Sequence, residues 1–241
     1  MVVVSSGGSA RRTYLLIAAA AVVLIGVTAL ALLCGRPKVE GDTPKQRGDS
    51  IAKLADERPA GADRAIAAEA VHPDPTVRRV AMIGLGKFTT AQNRPTVEAG
   101  TKDQVPIVRA AAARTLGLYQ DDAAADRLGE MLNNDPNDLV RLAAAAGLGQ
   151  NNTAKATVLL VEAAEKSKDP RVQFRAMQVL LEKYNVHFVK PVDPENRAYW
   201  KNLVEHVKRF GQVRDAYRQV GRPLSVPPEH HPIASPEATG G

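Results

Sequence analysis

A single cysteine, Cys34, stands in 241 residues, so an intrachain disulfide is excluded and cysteine says nothing about redox compartment. Aromatic residues are scarce, at 4% against 44% hydrophobic, which leaves Ala, Leu and Val to build the core. Small aliphatic side chains suit closely stacked helices better than an enzyme with a deep pocket. Recognisable chemistry is missing as well. There is no phosphate-gripping glycine loop, because Gly84-Leu85-Gly86 falls inside a repeated helical phrase and is read as close packing. No serine sits in a nucleophile elbow, and Cys34 has no activating neighbour except Arg36. With no convergent acids, bases or metal ligands, a catalytic reading has no residues to rest on. Charge of one sign is in only mild excess. The chain carries 32 basic and 26 acidic residues, and beyond Arg11 and Arg12 the balance is 30 to 26. Acids and bases alternate, which argues against a nucleic-acid reader with clustered Lys and Arg and stacking aromatics.

What the chain does hold is a phrase used four times. It reads Asp74-Pro75-Thr76-Val77-Arg78, Val105-Pro106-Ile107-Val108-Arg109, Asn137-Asp138-Leu139-Val140-Arg141 and Asp169-Pro170-Arg171-Val172-Gln173. The valines are 31, 32 and 32 residues apart. Each is followed after four residues by alanine (Ala81, Ala112, Ala144, Ala176) and after eight by leucine (Leu85, Leu116, Leu148, Leu180). Glycine follows that leucine in three copies, as Gly86, Gly117 and Gly149, and is read as a left-handed C-cap. A period of this length filled with helix formers means stacked helical hairpins, none of which buries its apolar face alone. Asp74 and Asp169 suit N-caps, and Pro75 and Pro170 suit the first helical position, where no N–H donor is required.

The fold class expected is all-α: an α-solenoid of about four hairpins with C-terminal capping helices, preceded by one transmembrane helix. Residues 14–34 are the candidate anchor, because twenty uncharged residues in a helix rise about 30 Å, the thickness of the bilayer hydrocarbon. A cleaved signal peptide is the alternative, although its apolar core is shorter. Residues 1–13 form a tail, 35–48 a linker and 49–190 the repeat domain. Residues 191–220 form the cap and 221–241, rich in proline, a disordered tail. Arg11 and Arg12 favour a bacterial inner-membrane protein, single-pass, with the repeats outside the cytoplasm, although Arg36, Lys38, Lys45 and Arg47 flank the other end. Within the cap, Trp200, Leu203, Val204 and Val207 make an apolar stripe for docking on the last hairpin.

The phrase resembles the signature of HEAT-like repeats of the phycobilisome-lyase type, over residues 60–185. Spacing, Arg, Ala and Leu-Gly recur together, and the fourth copy departs with Gln173 and Leu181. The resemblance implies an armadillo-like helical stack in which Asp and Arg form a ladder between hairpins. Its members here would be Arg78, Arg109 and Arg141, with Asp74 and Asp169 as acceptors or caps. Relatives of this type include bilin lyases, which handle tetrapyrroles, and a di-iron hydroxylase. The di-iron ligand set would require His-Glu pairs at the repeat period. The five histidines, His72, His187, His206, His230 and His231, supply none, so neither metal nor cofactor is expected.

A non-enzymatic scaffold that binds a partner protein through the concave face is therefore the expected function. Counted from each valine, positions +2, +5 and +6 are unusually apolar for a free surface. Arg79, Met82, Leu142, Phe174 and Met177 are the candidate binding residues on it, Met and Phe serving as adaptable anchors. The competing view is that neighbouring hairpins bury these side chains, with Leu142 behaving as core. A chromophore-handling protein of the bilin-lyase kind is the alternative function.

Overall fold

The computed structural model describes residues 36–186 and 197–225. Among them are eleven α-helices and no strand. They are α1 (Pro44–Glu57), α2 (Ala62–Ala68, continued by a 3-10 turn Glu69–Val71), α3 (Pro75–Leu85) and α4 (Arg94–Gly100). Then come α5 (Pro106–Leu116), α6 (Asp122–Asn134), α7 (Asp138–Gln150), α8 (Ala154–Lys166) and α9 (Pro170–Lys183), and last α10 (Arg197–Lys208) and α11 (Gly211–Gln219).

Two layers result. The inner helices α1, α3, α5, α7 and α9 pack each on the next, and α2, α4, α6 and α8 form the outer layer. The repeated Val, Ala and Leu make the seam of the inner layer. All twelve are at most 1% exposed, from Val77 through Leu180. Spaced by four, they lie on one stripe of a 3.6-residue helix.

Local chemistry fixes where the helices start. Asp74, Asn137 and Asp169 each accept the backbone N–H two residues on, capping α3, α7 and α9. Asp121 and Thr153 cap α6 and α8. Proline opens α1, α3, α5 and α9. Where Val105 offers no cap to α5, Asp103 Oδ1 takes the Val105 N–H at 2.8 Å.

The glycines are not left-handed caps. Gly86 and Gly117 sit at φ −60° and −59°, ordinary helical values, and Gly149 lies within α7. Their function is close approach. A Cβ on Gly117 would lie 2.3 Å from the Gly147 carbonyl oxygen, and one on Gly149 would lie 2.2 Å from Val179 Cγ1.

The solenoid begins earlier than the phrase suggests. Residues 35–48 do not form a linker throughout, because α1 starts at Pro44 behind a capping box of Thr43 and Gln46. Thr43-Pro44-Lys45-Gln46-Arg47 stands 31 residues before Asp74-Pro75-Thr76-Val77-Arg78, so it is a fifth, worn copy that keeps proline and arginine. A fragment beginning at residue 49 cuts α1 and strands the Glu69 carboxylate that Arg47 holds. We expect it to melt below a fragment beginning at residue 36, as followed by far-ultraviolet circular dichroism; equal transitions would show that α1 adds nothing to the stack.

At the other end α10 and α11 lie against α8. Leu203, Val204 and Val207 are buried, and Trp200 donates Nε1–H to the Ala164 carbonyl at 3.0 Å. Lys208 pairs with Glu165, and Arg222 with Glu162 at 2.6 Å. The apolar stripe thus covers the outer helix of the last hairpin, which an open stack requires at its end.

The expected placement as a single-pass inner-membrane protein is corrected. Among the described residues no helix is long and apolar enough to cross a membrane. Residues 14–34, on which that placement was read, lie outside the described residues, as do 1–13 and all of the 221–241 tail beyond Ser225.

Candidate interaction face

Arginine and aspartate tie the inner layer together along one edge. Arg78 donates Nε and Nη2 to Asp103 at 2.8 and 2.9 Å, and its Nη1 to the carbonyls of His72 and Pro73 at 2.9 Å. Arg109 repeats this on Asp135 at 2.8 and 2.9 Å, with Nη1 on the Asp103 and Gln104 carbonyls. Arg141 reaches Asp169 at 2.6 Å and the Asp135 carbonyl at 2.9 Å. Arg47 does likewise with Glu69 at 2.7 and 3.0 Å. Each side chain therefore fastens the turn of its own hairpin and the acid of the next, bidentately at Arg47, Arg78 and Arg109 and through one hydrogen bond at Arg141.

Asp74 is not an acceptor in this series; its carboxylate takes the Thr76 N–H at 2.7 Å and stays a cap. The acceptors Asp103 and Asp135 lie five residues before their valines, two before the position the phrase displays. Their signal was present, a pair of aspartates 32 residues apart, but it sits in the turn before the conspicuous motif. At that position the fourth copy has Ser167, so Asp169 takes over.

Electrostatics follows the geometry. Hydrogen bonds from Arg78 hold the Asp103 carboxyl below the usual carboxylate range against the opposing effect of burial. Burial pushes Asp135 up, but Arg109, the Asn137 N–H and the charge of Arg141 outweigh it and leave the carboxyl low. Arg141 brings Asp169 down to about 2. A carboxylate with a lowered folded pKa stabilises the fold above its unfolded pKa of about 4, and that share is lost as pH falls towards the folded value. Melting temperature should accordingly drop between pH 4 and pH 2, a range set by the unfolded carboxylate value of about 4 and by Asp169. Asp169→Asn should flatten that limb; an unchanged acid limb would show that the pair does not couple to folding.

Beside the ladder the inner helices turn one face outward, and here the candidate residues separate. Met82 and Met177 are each 1% exposed, so they are core and not groove anchors. The entire +5 row, with Ala113 and Ala145, is buried under adjacent hairpins. At 3.6 residues per turn, +5 lies about 60° beyond the +8 leucine, close enough for the next hairpin to cover it. Arg79 is exposed, and Leu142 and Phe174 are half-buried. The Phe174 ring stacks on Trp200, centroids 6.3 Å apart, so it serves the junction with α10. Leu142→Ala should therefore cost less than the ~2–5 kcal/mol of a fully buried truncation, and Leu148→Ala, at 0% exposure, should cost the full amount; urea titration of both variants separates them.

Two residues that the sequence reading passed over, Ile107 and Leu139, and one that it placed in the +6 row without choosing, Ile83, replace the methionines. Ile107 and Leu139 are 39% and 44% exposed, and Ile83 is 51% exposed. Ile107 and Leu139 occupy the position just before the valine on adjacent helices. That position and +6, where Ile83 stands, lie within about 20° of each other around a helix. With half-buried Leu142 they make an aliphatic set on one side of α3, α5 and α7, where Ala110, Ala111 and Ala143 are buried, and Ile83 stands about two turns further along its helix than Ile107 and Leu139 do along theirs.

Two surface clefts lie elsewhere. One, of about 360 Å³, is lined by Asp122, Lys155, Val158, Leu159, Gln219, Val220 and Arg222. The other, of about 630 Å³, is lined by residues between Arg36 and Glu57, among them Lys38, Glu40 and Lys53. Neither is lined by Cys, His or an aromatic ring. Among the described residues no group of three His, Cys, Asp or Glu is placed to hold a metal ion.

No curated protein matches the sequence. The family model for HEAT repeats matches residues 61–149 and 128–185, together more than half of the chain, a span that holds both helix layers and the arginine ladder except α1 and its Arg47. The chain belongs to the HEAT repeat family.

Proposed function

We propose that this protein is a non-enzymatic scaffold that binds a partner protein through the outward face of its inner helices. The observation that carries the reading is the set of Ile83, Ile107, Leu139 and Leu142. Single exposed aliphatic residues are ordinary, but three of them on adjoining helices, with half-buried Leu142 and buried alanines on the same helices, gather apolar side chains on one side of the inner layer. Repeat stacks expose such extended surfaces because each unit contacts only its neighbours. The candidate set from sequence is thereby revised: Arg79 and Leu142 stay, Met82 and Met177 leave, and Phe174 moves to the edge.

The test is capture of partners from native extract by the full-length chain and by Ile107→Ser/Leu139→Ser, with mass spectrometry of what is retained. Both sites are exposed, so the variant should melt within a few degrees of the wild type. Loss of a specific retained protein with folding intact is expected; an unchanged set of partners would remove this face from consideration. Nothing in the two clefts favours a chromophore-handling protein of the phycobilisome-lyase type, whose chemistry needs a crevice with nucleophilic or ring-stacking residues. A visible absorption band in purified protein would bring that reading back.

A further inference from the structure

The two helix layers differ in charge. Helices α1, α3, α5, α7 and α9 hold eleven Lys and Arg against five acids, whereas α2, α4, α6 and α8 hold five against seven; without α1, whose charges balance, the inner helices hold eight against two. Most of those eight cations are already engaged. Arg78, Arg109 and Arg141 belong to the ladder. Lys183 donates to the carbonyls of Asn151 and Gly149. Arg171 pairs with Asp138 and Asp169, and Arg175 lies 3.9 Å from Glu182.

Two remain. Arg79 and Arg114 are exposed, and among the described residues neither has a hydrogen-bond or ion-pair partner. They sit on the adjacent helices α3 and α5 and alternate with the exposed isoleucines. Arg79 and Ile83 are one turn apart on α3, while Ile107 and Arg114 are two turns apart on α5. At equivalent positions, Arg114 stands beside Ile83, and Arg79 beside Ala110.

A free guanidinium beside an aliphatic side chain matches a ligand that brings a carboxylate and a branched apolar group together. Like charge would be repelled, and a purely apolar segment would bury the guanidinium without compensation. Nucleic acid fits less well. Its affinity comes from many phosphate contacts and from base stacking, and this face offers two free cations and no free ring among its apolar members.

We infer that the face takes an acidic, aliphatic segment of a partner protein, its carboxylates meeting Arg79 and Arg114 and its branched side chains resting on Ile83, Ile107, Leu139 and Leu142. This rests on the binding face proposed above and names the chemistry of its occupant.

Two fluorescent synthetic peptides test it on the full-length chain. Both carry leucine at i, i+4 and i+7; one has glutamate at the intervening positions and the other lysine. A single-stranded DNA oligonucleotide serves as a third probe. By fluorescence anisotropy, the glutamate peptide should bind and the lysine peptide should not. Raising salt from about 50 to 200 mM should weaken binding several-fold. Arg79→Glu/Arg114→Glu should weaken it at least tenfold while melting near the wild type.

Equal binding of both peptides, binding of neither, DNA binding tighter than that of the glutamate peptide, or a charge-reversed variant that binds as well as wild type would each overturn the inference. Partner capture distinguishes this from failure of the face itself. Capture that depends on Ile107 and Leu139 but ignores reversal of Arg79 and Arg114 leaves the face standing and removes its acidic occupant. Capture indifferent to all four residues removes both.

Discussion

Gly117→Ala is expected to be among the most damaging single substitutions in this protein, although it adds one methyl group. The new Cβ would fall 2.3 Å from the Gly147 carbonyl oxygen and 2.6 Å from its Cα, so the obstacle is backbone and cannot swing aside. Helices α5 and α7 would have to separate, and with them the buried seam of Val108, Leu116, Val140 and Leu148. Overpacking of a tight core typically costs about 1–3 kcal/mol and more where backbone must move. A value near 3 kcal/mol corresponds to a fall of about 6–12 °C in melting temperature for a domain of this size. The control is Gly48→Ala in α1. There the nearest atom to a new Cβ is Val80 Cγ2 at 3.7 Å, ordinary van der Waals contact. Relief of backbone entropy should then stabilise the fold by about 0.4–1 kcal/mol. Thermal melts of the two variants should move in opposite directions. A Gly117→Ala protein that melts with the wild type would mean that the inner helices are not in backbone contact.

The second large effect is expected at Arg109. Its side chain is 13% exposed and that of Asp135 is 8% exposed. Removing the guanidinium leaves a nearly buried carboxylate without its counter-ion, together with two carbonyls of the preceding turn. Breaking a buried pair from one side costs about 3–5 kcal/mol; the residual exposure here and the Asn137 N–H on Asp135 place Arg109→Ala near the lower end. Arg79→Ala, one residue beyond the ladder arginine Arg78 and exposed, should stay within about 0.5 kcal/mol. The informative variant is the double one. If the cost lies in the stranded charge, Arg109→Ala/Asp135→Ala should recover part of the single-mutant loss, giving a coupling of about 1–3 kcal/mol in a denaturant cycle. Strict additivity would show that the pair contributes no interaction of its own.

These two sites mark where the sequence was readable and where it was not. The repeat period, the Val–Ala–Leu seam and the helix starts at Asp74 and Asp169 were legible because each depends on residues close in the chain. A 3.6-residue period fixes the seam, and a cap reaches only two or three residues ahead. The worn copy at Thr43–Arg47 was missed and read as linker, because its valine and aspartate are lost although its proline and arginine keep the 31-residue interval.

Matters decided between hairpins were not legible. Sequence alone showed a glycine after three of the four repeated leucines, yet only the distance from α5 to α7 makes Gly117 a contact between backbones and not a left-handed cap. Sequence supplied ladder arginines at a constant interval, but which acid answers each one depends on where the next turn lies. Asp103 and Asp135 therefore displaced Asp74. The apolar rows on the inner helices could likewise be listed from the sequence. Whether a row is core or surface turns on about 100° of helix rotation against a neighbouring hairpin. That rotation buried Met82 and Met177, gave Phe174 to Trp200, and left Ile107 and Leu139 facing outward.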